Sequence, residues 1–453
     1  MRRLLAVFLL LISSSAAFAQ FTDLQAMNEL GGPQEFARRR AELGKQLKTG
    51  YTLLWARINE PEQLTYREDN DFYYFTGLQD PGAILLMNNE TGHSILFEPI
   101  QAAREISLSG PNLLGLPEAQ RKAYGYSQIF PLHDFESIMG GMFGDPAARE
   151  LWVRAGFPDE VDGARTETAG DYAKQYSHPL GDPTPGDRSA LKKLAERFPG
   201  LQLRDFTGIV DEMRNIKTPQ EIAILRKNGK ISAEALRRAM AKAKPGMFEY
   251  QVEAEARYWM TMNGAQGVAY PAIVGSGANS NRWHYFENRK QMQPNEIVVF
   301  DFGADLHHLA MDITRTFSVS GKFTPEQAKW YQVGLAAQKA IIAMLKPGNT
   351  YEDASAAGRK VFEQAGLESG YFGSRFPGHF VGLSTHDVKR PVGPVKKGQV
   401  VTIEPIIDFP DKQLHIRIED TVLITDGEAE ILSVGIPKEM AEVERLVGSE
   451  ASK

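Results

Sequence analysis

The carboxyl-terminal half of the sequence repeats itself, and the repeat limits what it can fold into. Lys244-Pro245-Gly246 followed by Phe248-Glu249-Tyr250 returns as Lys346-Pro347-Gly348 followed by Tyr351-Glu352-Asp353. Each copy enters a helical stretch that closes near a glycine, at Asn263-Gly264 and at Ala365-Gly366. Further on, Pro294-Asn295-Glu296-Ile297-Val298-Val299-Phe300-Asp301 is echoed by Lys397-Gly398-Gln399-Val400-Val401-Thr402-Ile403-Glu404. The offset is about 102 residues in the first pair and about 103 in the second. In both halves a turn launches an apolar strand that ends in a carboxylate. Two copies of a helix-then-strand unit predict a pseudo-symmetric α+β domain, with a site where the carboxylate-tipped strands meet.

Glu296 to Phe317 reads as a β-hairpin. With a four-residue tip over Asp305 to His308, Ala304 pairs with Leu309 and Asp301 falls opposite Asp312. Facing residues on paired strands have Cβ atoms about 5 Å apart, and two carboxylates that close repel unless a cation lies between them. A pair of solvated aspartates would suit an exposed hairpin. The approach to Asp301 is apolar throughout, as in a strand buried on both faces, and a carboxylate ending such a strand needs a partner. His307 and His308 at the tip are expected to face solvent.

The second half carries a hairpin of its own. Val400 to Ile407 and Leu414 to Ile424 read as strands, and a turn centred near Asp411 and Lys412 sets Glu404 opposite Glu419. Two facing carboxylate pairs at pseudo-symmetric positions point to metal. The nitrogen ligand is expected in Phe376-Pro377-Gly378-His379-Phe380-Val381-Gly382-Leu383-Ser384-Thr385-His386-Asp387. Seven-residue spacing puts His379 and His386 on opposite faces of a flat strand, so only one reaches the metal unless the backbone bends. His284, in Trp283-His284-Tyr285, is a third candidate.

The chain has 453 residues, enough for two or three domains, and a formal charge of −6, which gives nucleic-acid binding no support. It has no cysteine, which excludes disulfides, thiolate zinc sites and a cysteine nucleophile. Any metal site must use His and carboxylates, which suit Mn, Zn, Co or Fe. Met1-Arg2-Arg3, the apolar run Leu4 to Ile12 and Ala17-Phe18-Ala19 before Gln20 predict a secretory signal peptide over 1–19. Nine apolar residues are too few to span a bilayer, and no later segment approaches that length. Export to the periplasm or the medium is expected, with no membrane attachment after cleavage.

Residues 20–205 read as one α/β domain. Phe36 to Leu47 has helical spacing, and Tyr51 to Ala56, Ala83 to Met87 and Ser94 to Glu98 read as strands. The quartet Phe72-Tyr73-Tyr74-Phe75 suggests core packing rather than a ligand platform. Residues 158–188, rich in Pro, Gly and Asp, read as loop. Thr218-Pro219-Gln220-Glu221 starts a helix that runs to Ala243, and the domain boundary is placed near Asp205.

Taken in order, these residues resemble the metal-dependent peptidases of pita-bread fold, which include aminopeptidase P, prolidase and methionine aminopeptidase. The resemblance spans roughly Thr207 to Leu446. It rests on Asp301, Asp312 with Thr314-Arg315-Thr316-Phe317, His379, Glu404 in Thr-Ile-Glu-Pro and Glu419 in Arg-Ile-Glu-Asp. Tyr66 to Gly77 is similar to the amino-terminal domain of creatinase and aminopeptidase P, which methionine aminopeptidases lack. The resemblance therefore implies an α/β domain of that type followed by a pita-bread catalytic domain over 206–446. Five residues depart from the pattern. Arg375 stands where a histidine often precedes the metal-binding His. Ile406 and Asp408 replace the Gly and Tyr that often follow Glu-Pro. Leu306 and Leu309 replace hairpin-tip tyrosines.

What the resemblance implies is an Xaa-Pro aminopeptidase with two divalent metal ions, Mn2+ first and Zn2+ or Co2+ as alternatives. Asp301, Asp312, His379, Glu404 and Glu419 would be the ligands, with Glu419 bridging. Glu404 would also carry the proton, and His284 and His386 would steady the oxyanion or the departing proline nitrogen. Arg417, two residues before Glu419, would orient carboxylates. Substrates would be peptides with proline in the second position, and the chain a dimer or tetramer. The rivals are a prolidase restricted to dipeptides and a binding protein that keeps the fold without the chemistry.

Overall fold

The structure, a computed structural model, describes residues 24–58, 66–143, 149–180, 186–368 and 375–450. The expected signal peptide lies outside the described residues. Among them, no helix is long and apolar enough to cross a membrane.

The amino-terminal unit is built on a six-stranded sheet of order β4-β3-β2-β1-β5-β6, comprising β1 (Tyr51–Trp55), β2 (Ile84–Asn88), β3 (Ser94–Glu98), β4 (Gln128–Pro131), β5 (Glu150–Val153) and β6 (Gln202–Asp205). The first three strands pair antiparallel, and the β3–β4, β1–β5 and β5–β6 pairs are parallel. Helix Gly32–Leu47 sends Phe36, Leu43 and Leu47 into the core. Asp69 accepts from the backbone N–H groups of Asp71 and Phe72 and so starts helix Asn70–Thr76. The aromatic quartet on that helix is fully buried, as core packing requires.

The stretch expected as loop over 158–188 contains helix Arg165–Ser177. Its Pro and most of its Gly lie in the flanks, and only Gly170 interrupts the helical run itself. The Glu167 carboxylate accepts from the Ala164 N–H at 2.9 Å and satisfies the first turn. Composition averaged over the whole stretch hid this helix.

The carboxyl-terminal unit shows the repeat as two helix pairs, Pro219–Lys242 with Glu249–Met262 and Pro325–Met344 with Tyr351–Gln364. Thr218, Thr324 and Thr350 cap three of them. Each pair leads into a hairpin. The first runs through β7 (Gly267–Val268), β8 (Ile273–Ser276), β9 (Ile297–Asp301), β10 (Ala304–Leu306), β11 (Leu309–Ala310) and β12 (Thr314–Ser318). The second runs through β13 (Val400–Ile403), β14 (Ile406–Phe409), β15 (Leu414–Arg417) and β16 (Asp420–Leu423), to which β17 (Glu430–Ile431) adds an edge.

The register of the first hairpin differs from the expected one by two. Leu306 pairs with Leu309 and Asp301 with Thr314, so the tip has two residues. His307 and His308 take φ of 54° and 63°, the backbone of a two-residue hairpin turn with both central residues left-handed. Asp312 therefore opposes Gly303, and Asp301 is its diagonal neighbour. Side chains alternate with period two, so a slip of two residues changes the partner and keeps the face. The tip histidines are buried, against expectation, at 4% and 7% exposure. His308 stacks on Tyr73 with ring centroids 4.0 Å apart, and Arg67 bonds Asp305 at 2.7 Å. The amino-terminal unit covers the tip, a contact no local pattern announces.

In the second hairpin, Ile403 pairs with Asp420 and Ile406 with Arg417. One register runs through both ladders and leaves Glu404 opposite Glu419, as the spacing predicts.

Candidate metal centre

Asp301 ends β9, and Asp312 lies between β11 and β12 on the same face. Tyr270, just before β8, puts its hydroxyl 2.5 Å from Oδ1 of each. Asp312 Oδ2 is 3.3 Å from His379 Nε2, and Glu404 Oε1 is 3.7 Å from the same nitrogen. Asp312, His379 and Glu419 each offer a ligand atom within 4.8 Å of the others. Arg417 Nη2 bonds Asp301 Oδ2 at 3.0 Å, the orienting contact expected of it. All five expected ligands line one cavity of about 1020 Å³ together with His284 and His386.

Backbone contacts set these side chains. His379 Nδ1 is 3.1 Å from the Phe380 carbonyl, which turns Nε2 toward Asp312. The His379 N–H donates to Thr402 Oγ1 at 3.1 Å, and the Glu404 N–H donates to the Pro377 carbonyl at 3.0 Å. Gly378 makes the close approach possible. A Cβ there would meet the Thr402 carbonyl oxygen at 2.1 Å.

The electrostatics are those of crowded acids. Burial, only partly offset by Arg417 and reinforced by the Asp312 charge, pushes Asp301 up to about 7. Burial and the charges of Asp312, Glu404 and Asp301 push Glu419 well up. Burial opposes the charged forms of Asp312 and His379 as well. Their mutual bond outweighs it, lowering Asp312 and raising His379 to about 9. Glu419 Oε2 accepts from Thr314 Oγ1 at 2.7 Å, while Oε1 is buried without a hydrogen-bond partner. A buried carboxylate oxygen with no donor, among three further carboxylates and an imidazole, is a donor set suited to divalent cations.

His379 and His386 do not take opposite faces. The backbone after His379 turns instead of running as a strand, and their ring centroids lie 3.9 Å apart. His284 stacks with Phe286 at 5.8 Å on the cavity wall, and burial with the nearby Arg417 and His386 charges lowers its pKa. Arg375 is exposed at the cavity mouth. Asp408 is held by Asn281 and, at 2.9 Å, by His415.

Two site residues escaped the sequence reading. Tyr270 had no motif to mark it. Glu167 lay inside the stretch read as loop, yet it reaches the cavity and lies 2.7 Å from His386 Nδ1. Its position in the first turn of a Gly- and Pro-free run, Arg165 to Ala169, was the available signal.

Residues 223–426 match metallopeptidase family M24, and residues 36–152 match the aminopeptidase P N-terminal domain. The Xaa-Pro aminopeptidase of Escherichia coli (strain K12) is 29% identical over 461 aligned positions, covering 91% of this chain and 97% of its own. The Xaa-Pro dipeptidase of Pyrococcus furiosus is 34% identical over 249 positions, covering 54% of this chain and 70% of its own. The structure of aminopeptidase P from E. coli with the inhibitor Pro-Leu is similar at a TM-score of 0.76 and 27% identity, covering 93% of this chain and 99% of that one.

Proposed function

The chain belongs to metallopeptidase family M24 and is a metallo-aminopeptidase with an amino-terminal aminopeptidase P domain; from that premise we propose that it removes the first residue from peptides whose second residue is proline. Asp301, Asp312, His379, Glu404 and Glu419 hold two divalent ions in this reading, Mn2+ before Zn2+ or Co2+. The observation that carries it is the convergence of four carboxylates and one imidazole in a single cavity, with a buried Glu419 oxygen left without a donor. Divalent ions there supply Lewis acidity and a water acidic enough to ionise near neutral pH.

The chain's own residues do the rest. Glu404 takes the proton of the attacking water and delivers it to the leaving nitrogen. His284 and His386 steady the carbonyl oxygen or the departing proline nitrogen as charge develops there. Arg417 keeps Asp301 in place from behind. The cavity volume supports peptides longer than two residues. The archaeal dipeptidase, at 34% identity, favours a second reading in which only Xaa-Pro dipeptides are cleaved. The domain division at 19 and 205, export through the first 19 residues to the periplasm or the medium, and a dimer or tetramer belong to the same proposal.

The test is metal-free protein reconstituted with Mn2+, Co2+ or Zn2+ and assayed on Arg-Pro-Pro and Gly-Pro. Release of arginine from the tripeptide supports the first reading, and cleavage of Gly-Pro alone supports the second. Asp312→Ala is expected to abolish both metal uptake and hydrolysis. Retained activity in that variant refutes the ligand assignment.

A further inference from the structure

Glu167 and His386 are distant in sequence and come from different units, yet the Glu167 Oε1 and Oε2 atoms lie 2.7 and 2.9 Å from His386 Nδ1. A carboxylate can only accept, so the bond requires a hydrogen on Nδ1; Nε2 then accepts in the neutral ring and donates in the imidazolium. That leaves Nε2 as the other ring nitrogen, on a side chain that lines the cavity and touches His379.

The two segments are tied together around the pair. The Thr385 N–H donates to the Val161 carbonyl at 2.9 Å, and Ser384 Oγ donates to the Glu160 carbonyl at 2.6 Å. Arg214 bridges Asp159 at 2.6 Å and Asp387 at 2.7 Å, all three fully buried. Glu167 itself is about half exposed, with 46% of its side-chain surface accessible. An ion pair with that exposure adds about 0–1 kcal/mol to stability at most. The consequence of the contact is therefore the orientation it gives the ring.

We propose that Glu167, carried by the amino-terminal unit, is a positioning residue that holds His386 with Nδ1–H toward itself and Nε2 toward the scissile bond. This rests on the reading of His386 as a catalytic histidine. It makes the amino-terminal unit a contributor to the reaction centre as well as a cover over the hairpin tip.

The experiment compares wild type, Glu167→Gln, Glu167→Asp, His386→Ala and the Glu167→Gln/His386→Ala double variant, each loaded with metal and assayed on Arg-Pro-Pro. Gln keeps an oxygen for the Ala164 N–H and so keeps the helix start, but it can present an amide N–H to Nδ1. The expected result is a loss of about tenfold to hundredfold in kcat for Glu167→Gln, the range seen when a group that orients a histidine is removed. KM and the melting temperature stay unchanged, and Glu167→Asp is partly rescued. The double variant is no slower than His386→Ala, because the two act as one unit. In metal-free protein above the imidazole range, ring 15N shifts of His386 are expected to report Nδ1–H in wild type and Nε2–H in Glu167→Gln. Near-wild-type kcat in Glu167→Gln beside an impaired His386→Ala overturns this proposal alone. A fully active His386→Ala overturns the reading beneath it.

Discussion

Asp80, in the turn before β2, and Glu98, the last residue of β3, are buried at 1% and 0% exposure. Burial pushes Asp80 up to about 6, and burial with the Asp80 charge pushes Glu98 well up. Both shifts are upward, so the folded chain keeps protons that the unfolded chain releases near pH 4. Their contribution to stability is complete below that range and is lost as pH rises, to about 6 for Asp80 and beyond for Glu98. Denaturant unfolding at about pH 5 and about pH 8 is expected to show a less stable protein at the higher pH. Glu98→Gln, which carries no charge to lose, is expected to regain roughly 1–3 kcal/mol at about pH 8. An unchanged pH dependence in the variant counts against this. The same physics acts on Asp301 and Glu419, where the donor set calls for cations instead of protons. At this scale the sequence marked the acids, since their spacing put them on strand ends. It did not mark Tyr270, a tyrosine like any other until folding sets its hydroxyl between Asp301 and Asp312.

The first hairpin shows how one element determines the site's geometry. Gly303 faces Asp312 across it, and a Cβ at Gly303 would lie 1.6 Å from the Met311 carbonyl oxygen. The strands cannot separate there without moving Asp312. Gly303→Ala is expected to lose at least about 3 kcal/mol of stability, above the usual overpacking range because the clash is with backbone. Metal content measured on the purified variant is expected to fall with it. Normal metal uptake would show that Asp312 is held in some other way. The expected four-residue tip failed here for a physical reason. His-His is not a sequence that announces two left-handed residues, and the tip is held in that form under Tyr73. The pairing face survived because the error was an even number of residues. The register of the second hairpin was legible because Pro410, Asp411 and Lys412 mark its turn between two apolar runs.

Across the whole molecule, a buried charge network joins the two units beside the site. Arg154, Arg165 and Arg214 surround Asp71, and Arg214 also binds Asp159 and Asp387. Lys217 completes it at 3.0 Å from Asp387. Removing one partner strands the others in a low-dielectric interior, which costs about 3–5 kcal/mol. Arg214→Ala is expected to lose that much in denaturant unfolding. Hydrogen exchange is expected to quicken at both 157–167 and 384–388, since Asp387 adjoins His386. Exchange confined to one segment would show that the network does not couple the units.

What the sequence determined by itself was whatever depends on short-range periodicity. This covers the duplicated helix-then-strand unit, strands ending in acids, the same-face placement of those acids, and the helix start at Thr218. What only the tertiary structure decided were contacts that no local pattern marks: His308 under Tyr73, Tyr270 between two aspartates, Glu167 on His386, and a bend that brings His379 and His386 together. Period and polarity are carried by neighbours along the chain, whereas these contacts exist only once the chain has folded back on itself, within the carboxyl-terminal unit for Tyr270 and the His379–His386 pair and between the two units for His308 and Glu167.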